Sequence, residues 1–141
     1  MKQINIVFLG RKVGVTLTEV LIVVVILGIL ATLALPMFVK TIEKAKVGEA
    51  MSNLNLIRTG QKIYFLEFST YSPNITDLNI EDPNDAASRY FGYTMESADS
   101  NDFVSRATRG AGGSQSAPAP YDTYYYDISK DGRITSNGPL I

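Results

Sequence analysis

From Val20 to Val39 the chain runs for 20 residues without an ionisable side chain. As a helix such a run spans about 30 Å, the thickness of a bilayer's hydrocarbon core. Its apolar residues go all the way round instead of forming a stripe, which excludes a water-facing amphipathic helix. A fully buried core helix would satisfy the same test. In a chain of 141 residues, however, too little protein follows the helical stretch to wrap that cylinder, and membrane insertion is the better reading. One charge stands at the edge of the run: Glu19 is the only ionisable residue among the 27 from Val13 to Val39. A carboxylate in a membrane helix costs up to about 2.5–3.5 kcal/mol at the bilayer centre and less near the interface, and such groups are as a rule paired and functional. The helix's own N-terminal dipole gives partial relief.

The rest of the composition removes whole classes of function. Thirteen Lys+Arg against 14 Asp+Glu give a net charge of −1, without the basic excess of a nucleic-acid binder. There is no Cys and no His, so disulfides, thiolate catalysis, Cys-ligated zinc and the commonest general base are all missing. No phosphate-binding glycine loop or nucleophile-elbow serine is found either, and catalysis is not expected. Lys2, Arg11 and Lys12 precede the apolar run while Lys40, Lys44 and Lys46 follow it. The cluster at the entry end usually dominates, which puts the N-terminus in the cytoplasm and the bulk of the chain outside it. Ala31 to Ala34 lacks the spacing of an ordinary secretory cleavage site.

Before the run stands Gly14, followed by Val15-Thr16-Leu17-Thr18-Glu19, then continuous aliphatics with Gly28 and Pro36. These residues resemble the class III signal and N-terminal helix of type IV pilins and type II secretion pseudopilins, over Gly14 to Pro36. Val15 stands where the family most often has Phe, and Thr18 where it has Ile or Leu. The resemblance implies a leader of residues 1–14, removed by a prepilin peptidase on the cytoplasmic side between Gly14 and Val15, and N-methylation of Val15. It implies that Glu19 attracts the amine of an incoming subunit and so sets register during assembly. It further implies an inner-membrane assembly platform and a homopolymer, with related pilins, as partners. Cleavage would leave ten basic residues against fourteen acidic. Gly28 lowers helix stability by up to about 1 kcal/mol relative to Ala, and Pro36 removes an N–H and clashes with the carbonyl of Thr32. Together they bracket a stretch able to bend or unwind locally, as family filaments do between the matching positions.

Beyond Pro36, Val47, Met51, Leu54, Ile57, Gln61, Tyr64 and Phe68 recur at three- and four-residue steps. Lys40, Glu43, Lys44, Lys46, Glu49, Asn53, Arg58 and Lys62 take much of the other side. This is an amphipathic continuation of the same helix, over 40–68, after a transmembrane or filament-core part over 15–39. Pro73 ends it. Residues 69–141 form the head. Asn74 to Pro83 reads as a loop with a short helical turn. Strands are expected at Arg89–Glu96, Asp102–Thr108, Asp122–Ile128 and Arg133–Ser136, with 97–101 a hairpin connection and the Gly/Ala/Ser/Pro-rich 109–121 a surface loop. The fold class is α+β: a long N-terminal helix packed on a small antiparallel sheet of three or four strands.

In the head, Asp127-x-Ser129-x-Asp131-Gly132 reproduces the opening of an EF-hand-like calcium loop. Its twelfth position is Gly138 instead of a bidentate Glu, so a plain hairpin turn competes with a metal site made by Asp127, Ser129 and Asp131. Tyr124–Tyr126 read as strand packing, with either the middle ring or the outer pair buried. Arg89, Arg106, Arg109, Lys130 and Arg133 are candidates for a small basic patch, offset by nearby acids. Two functions fit: a subunit of a type IV pilus or pseudopilus, or an uncleaved single-pass anchor for an extracytoplasmic binding module.

Overall fold

A computed structural model describes residues 14–139. It divides into a unit ending at Phe38 and a head beginning at Val39. The leader, residues 1–14, with its basic residues lies almost wholly outside the described residues. One helix, α1 (Leu17–Phe68), takes part in both units. In the first unit its large apolar side chains are all exposed, from Leu17 at 83% to Val23 at 50%. An 18-residue window of this helix has a mean hydropathy of 2.9 and none of it is buried inside the protein. α1 runs unbroken through Gly28 and Pro36, so the local unwinding that the resemblance implies is not a property of this state.

In the head, α1 packs on a four-stranded antiparallel sheet in sequence order: β1 (Phe91–Ala98), β2 (Phe103–Arg109), β3 (Tyr125–Ser129) and β4 (Ile134–Ser136). All four expected strands are present, shifted by up to three residues. The strand period of two decides which side chains meet the helix. On β2, Phe103, Ser105, Ala107 and Arg109 are buried, alternating with Val104, Arg106 and Thr108. On β3, Tyr126 and Ile128 face the core. The outer pair of the tyrosine triplet is thus the core-facing one: Tyr124 also packs on the core, while Tyr125 lies under the Arg106 guanidinium, 4.1 Å away. α1 answers with Val47, Ala50, Leu54 and Ile57, the last three fully buried. Burying each Leu or Ile contributes about 1.5–3 kcal/mol.

Two fits lock the loops onto the helix. Gly60 lets the chain after α1 approach so closely that a Cβ there would stand 2.9 Å from the Ile80 side chain. Beside it the Gln61 amide, fully buried, donates to the Ser72 carbonyl (2.7 Å) and accepts from the Ser72 N–H (2.9 Å). It satisfies backbone groups that burial would otherwise orphan. The helix stops in one step, Ser69 taking φ 55 while its N–H bonds the Phe65 carbonyl at 2.8 Å.

The helix's polar side needs correction. Glu43, Glu49, Asn53 and Arg58 do not face away from the sheet. Glu43 is only 6% exposed, Glu49 accepts from the Tyr90 N–H, Asn53 donates to the Tyr93 hydroxyl and Arg58 to the Lys130 carbonyl. Each lies at the border of the apolar stripe and has a polar group of the sheet to meet. Phe68, by contrast, is 53% exposed although it lies in register with the stripe. The candidate basic patch is offset, as the nearby acids suggested. Arg109 is buried against Glu43, Arg106 pairs with Asp127 and Glu96, and Arg89 donates to the carbonyls of Ala86 and Gly112.

Candidate functional site

Gly14, Val15 and Thr16 precede the first helical residue, Leu17. Thr16 therefore stands at the N-cap, and Glu19 three residues on. The two bond reciprocally: the Glu19 N–H donates to Thr16 Oγ1 at 3.2 Å, and the Thr16 N–H to Glu19 Oε2 at 3.4 Å. This is the capping-box geometry, which satisfies amides that a helix start leaves without partners. It gives Glu19 a definite direction. The carboxylate reaches back, away from the apolar run, to the residue next to Val15. An amine at Val15 would therefore begin one residue from an anion already held at the positive end of the helix dipole. Thr16 is the residue that reading the sequence alone missed. Its signal was there, a Thr with a Glu three positions later and a long apolar run after it.

Gly28 and Pro36 flank a second local arrangement. The Thr32 hydroxyl donates to the carbonyls of Gly28 (2.9 Å) and Ile29 (2.7 Å). Such back-bonding keeps the hydroxyl satisfied in apolar surroundings. Four residues on, Pro36 offers no N–H to the Thr32 carbonyl. The segment between Gly28 and Pro36 is thus helical with one ladder bond fewer, which is the weakness the sequence suggested.

In the head, Asp127, Ser129 and Asp131 are not drawn together around a cation. Asp127 sits opposite Arg106 in the β2–β3 register and both its oxygens are taken by that guanidinium, at 2.7 and 2.8 Å. Ser129 closes a tight turn by accepting the Gly132 N–H at 2.9 Å, with Gly132 at φ 79, a conformation that favours glycine. Among the described residues no group of three or more His, Cys, Asp or Glu side chains is placed to hold a metal ion. The geometry is that of the competing hairpin.

The head's other charged centre is buried. Arg109, 2% exposed, donates from Nε to Glu43 Oε2 at 2.9 Å and from Nη2 to Oε1 at 3.3 Å. Its remaining N–H groups meet the Tyr90 carbonyl (2.9 Å) and the carbonyls of Gln115 and Ser116 in the glycine-rich loop. Lys46 bonds Glu43 from the solvent side at 2.6 Å. Burial raises the Glu43 carboxyl, but hydrogen bonds and attraction from Arg109 and Lys46 together outweigh it and hold the group below its ordinary range. This centre ties helix, sheet and loop together. The hint in the sequence was an acid at position 43, four residues before Val47 on the buried stripe.

No family model matches the chain. It is 38% identical over 91 residues to the type IV major pilin protein PilA of Myxococcus xanthus, a stretch covering 64% of this chain and 40% of that protein. Over 61 residues it is 39% identical to the type II secretion system core protein G of Aeromonas hydrophila, 43% of each chain. Over 71 residues it is 37% identical to core protein G of Vibrio cholerae, 50% of this chain and 47% of that one. The matched stretch thus spans less than half the length of each relative. Among solved structures, the non-core minor pilin PilV of Neisseria meningitidis aligns with a TM-score of 0.50 at 16% identity, over 70% of this chain and 90% of that one. That likeness speaks to the fold. The chain's relatives are type IV pilins and type II secretion pseudopilins, and its fold is a pilin fold.

Proposed function

We propose that the chain is a structural subunit of a type IV pilus or pseudopilus, cut after Gly14, N-methylated at Val15 and polymerised through the N-terminal part of α1. One observation carries the reading. A charge-free helical surface, exposed on every side, begins at a carboxylate fixed by Thr16 beside the proposed new terminus. Such a surface has two suitable environments, lipid and a bundle of like helices. Exchanging one for the other costs little, because lipid tails and packed aliphatic side chains are similarly apolar.

Before assembly the helix spans the cytoplasmic membrane, with its N-terminus on the cytoplasmic side and the head outside. The N-terminus is then within reach of a prepilin peptidase and of the assembly platform. On transfer, Glu19 finds the Val15 amine of a neighbour, an ion pair whose attraction in a low-dielectric bundle selects one axial register over others. The described residues of the head present β-strand surface, and the role proposed for it is to coat the filament. The test is the mass of the N-terminus in cells containing the peptidase. A product starting at methylated Val15 supports the proposal, and an intact leader overturns it in favour of an anchored binding module. Glu19→Val, expressed without wild-type subunits, is expected to be processed yet fail to enter filaments. Normal incorporation would remove the register role.

A further inference from the structure

Two sets of exposed charges in the head lie on different sides of α1. Lys40 and Lys44 lie four residues apart on α1, and Arg58 and Lys62 repeat that pair eighteen residues later, five turns at 3.6 residues per turn. All four therefore share one flank. Glu49 and Glu67 are also eighteen residues apart, each five residues beyond a lysine of the first set. That rotates them about 140° round the helix. The sheet fixes which side each flank is on. Arg58 bonds the carbonyl of Lys130 at the β3–β4 turn, so the basic flank is on the β4 side. Glu49 accepts from Tyr90, just before β1, and Asn53 reaches Tyr93, so the acidic flank is on the β1 side. The loop 81–85 extends that flank. It lies beside Asn53 and Leu56, with which Glu81, Asp82 and Ala86 line a shallow cavity, and Asn84 bonds the backbone of Tyr93 on both sides. Among the described residues Lys40, Lys44, Lys62, Glu67 and Glu81 make no ion pair, and all are exposed.

We propose that the two flanks form a side-by-side contact between copies of this chain, Glu67, Glu81 and Asp85 of one facing Lys40, Lys44 and Lys62 of the next. The occupant is a second copy because one chain carries both complementary surfaces, on opposite sides of the same helix. A contact between unlike patches repeats without using itself up, and if its rotation does not close a ring it generates an open helical array. A contact of this kind serves a polymer, so the inference rests on the filament reading. It supplies a second register device, in the head, beside Glu19. Like charges brought together by a wrong stagger repel, and the opposed sets attract.

The experiment reverses each flank in the full chain, expressed as the sole subunit. Lys44→Glu with Lys62→Glu, and separately Glu81→Lys with Asp85→Lys, are each expected to lower the yield of sheared filaments at least tenfold. The four changes together are expected to restore it. Unchanged yield in either reversal, or no rescue in the combined variant, overturns the inference while wild-type filaments leave the filament reading standing. Wild-type chain that forms no filaments overturns both. A second measurement does not depend on how charge reversal affects folding. The chain has no Cys, so Lys44→Cys and Asp85→Cys in one chain introduce its only thiols, and a bismaleimide added to filaments joins them where the flanks meet. A ladder extending past the dimer is expected. A ladder that stops at the dimer, or no ladder at all, overturns the contact.

Discussion

Arg109→Met tests whether the buried ion pair holds the head together. The change keeps an unbranched apolar side chain in the site and deletes the guanidinium. Removing one partner of a buried pair costs about 3–5 kcal/mol, because the other charge is left in the interior. Two features place Arg109→Met at the low end. Lys46 still reaches Glu43, at 2.6 Å, so the carboxylate keeps a cation. The released carbonyls of Gln115 and Ser116 belong to exposed residues and can turn to water. The expected loss is about 3 kcal/mol. Glu43→Leu strands Arg109, which is 2% exposed and pairs with no other acid among the described residues. It should lose about 5 kcal/mol. With both changes the site becomes apolar, and replacing a buried pair by packed hydrophobic residues is often neutral. The double variant should thus be more stable than Glu43→Leu alone. The assay is urea unfolding of the full chain in detergent micelles, followed by tyrosine fluorescence, as a double-mutant cycle. Losses that simply add, leaving the double variant the least stable of all, would refute the argument. pH supplies an independent check. The folded Glu43 is more acidic than its ordinary 4.5, so its contribution is complete above that value and drains away as pH falls through the lower folded-state value. Arg109→Met should flatten that acid limb.

Three further outcomes follow from local geometry. Thr16→Ala removes one of the two acceptors of the Glu19 N–H, leaving the Thr16 carbonyl, and should cost the helix start about 1 kcal/mol, visible as faster amide exchange at residues 18–20 in micelles with the head unchanged. Ser69→Gly relieves a left-handed residue at φ 55 and should stabilise the head by about 1 kcal/mol, read as a higher urea midpoint; a lower midpoint would contradict the strain. Because Arg106 occupies both oxygens of Asp127, millimolar calcium should leave the melting temperature of the full chain unchanged. Asp127→Asn should lower it with or without the ion, and a calcium-dependent rise in the wild type would reinstate the metal site.

The long helix and the number of strands were legible because each rests on a pattern that burial enforces. Twenty residues without a charge admit few environments, and the alternation in 103–109 has a helix to face on one side only. The polar anchors were not legible, for a physical reason. Glu43, Asn53 and Arg58 stand on the margin of the apolar stripe, where helical period alone does not tell a solvated side chain from one reaching a sheet carbonyl or hydroxyl. Which it is depends on partners such as Arg109, Tyr93 and Lys130, up to 72 residues away. The calcium motif illustrates the same limit. Asp127, Ser129 and Asp131 have the spacing, but position 127 also faces Arg106 across the ladder, and a cross-strand guanidinium at 2.7 Å competes for the same oxygens.

The N-terminal site differs from these in being wholly local. Thr16 and Glu19 are three residues apart, and their bonds need nothing beyond one turn of helix. The device that presents the carboxylate is thus complete in a single chain before any partner arrives. On the proposed function, cleavage leaves each chain its own Val15 amine, and a neighbouring subunit would bring a second. The capping bond from the Thr16 N–H is long, 3.4 Å, and a charged amine is the stronger donor, so Glu19 can exchange one for the other without first paying to strip a tightly held partner. On that reading, a carboxylate fixed in direction but weakly held suits a subunit that would cross from lipid to bundle and bind in one register.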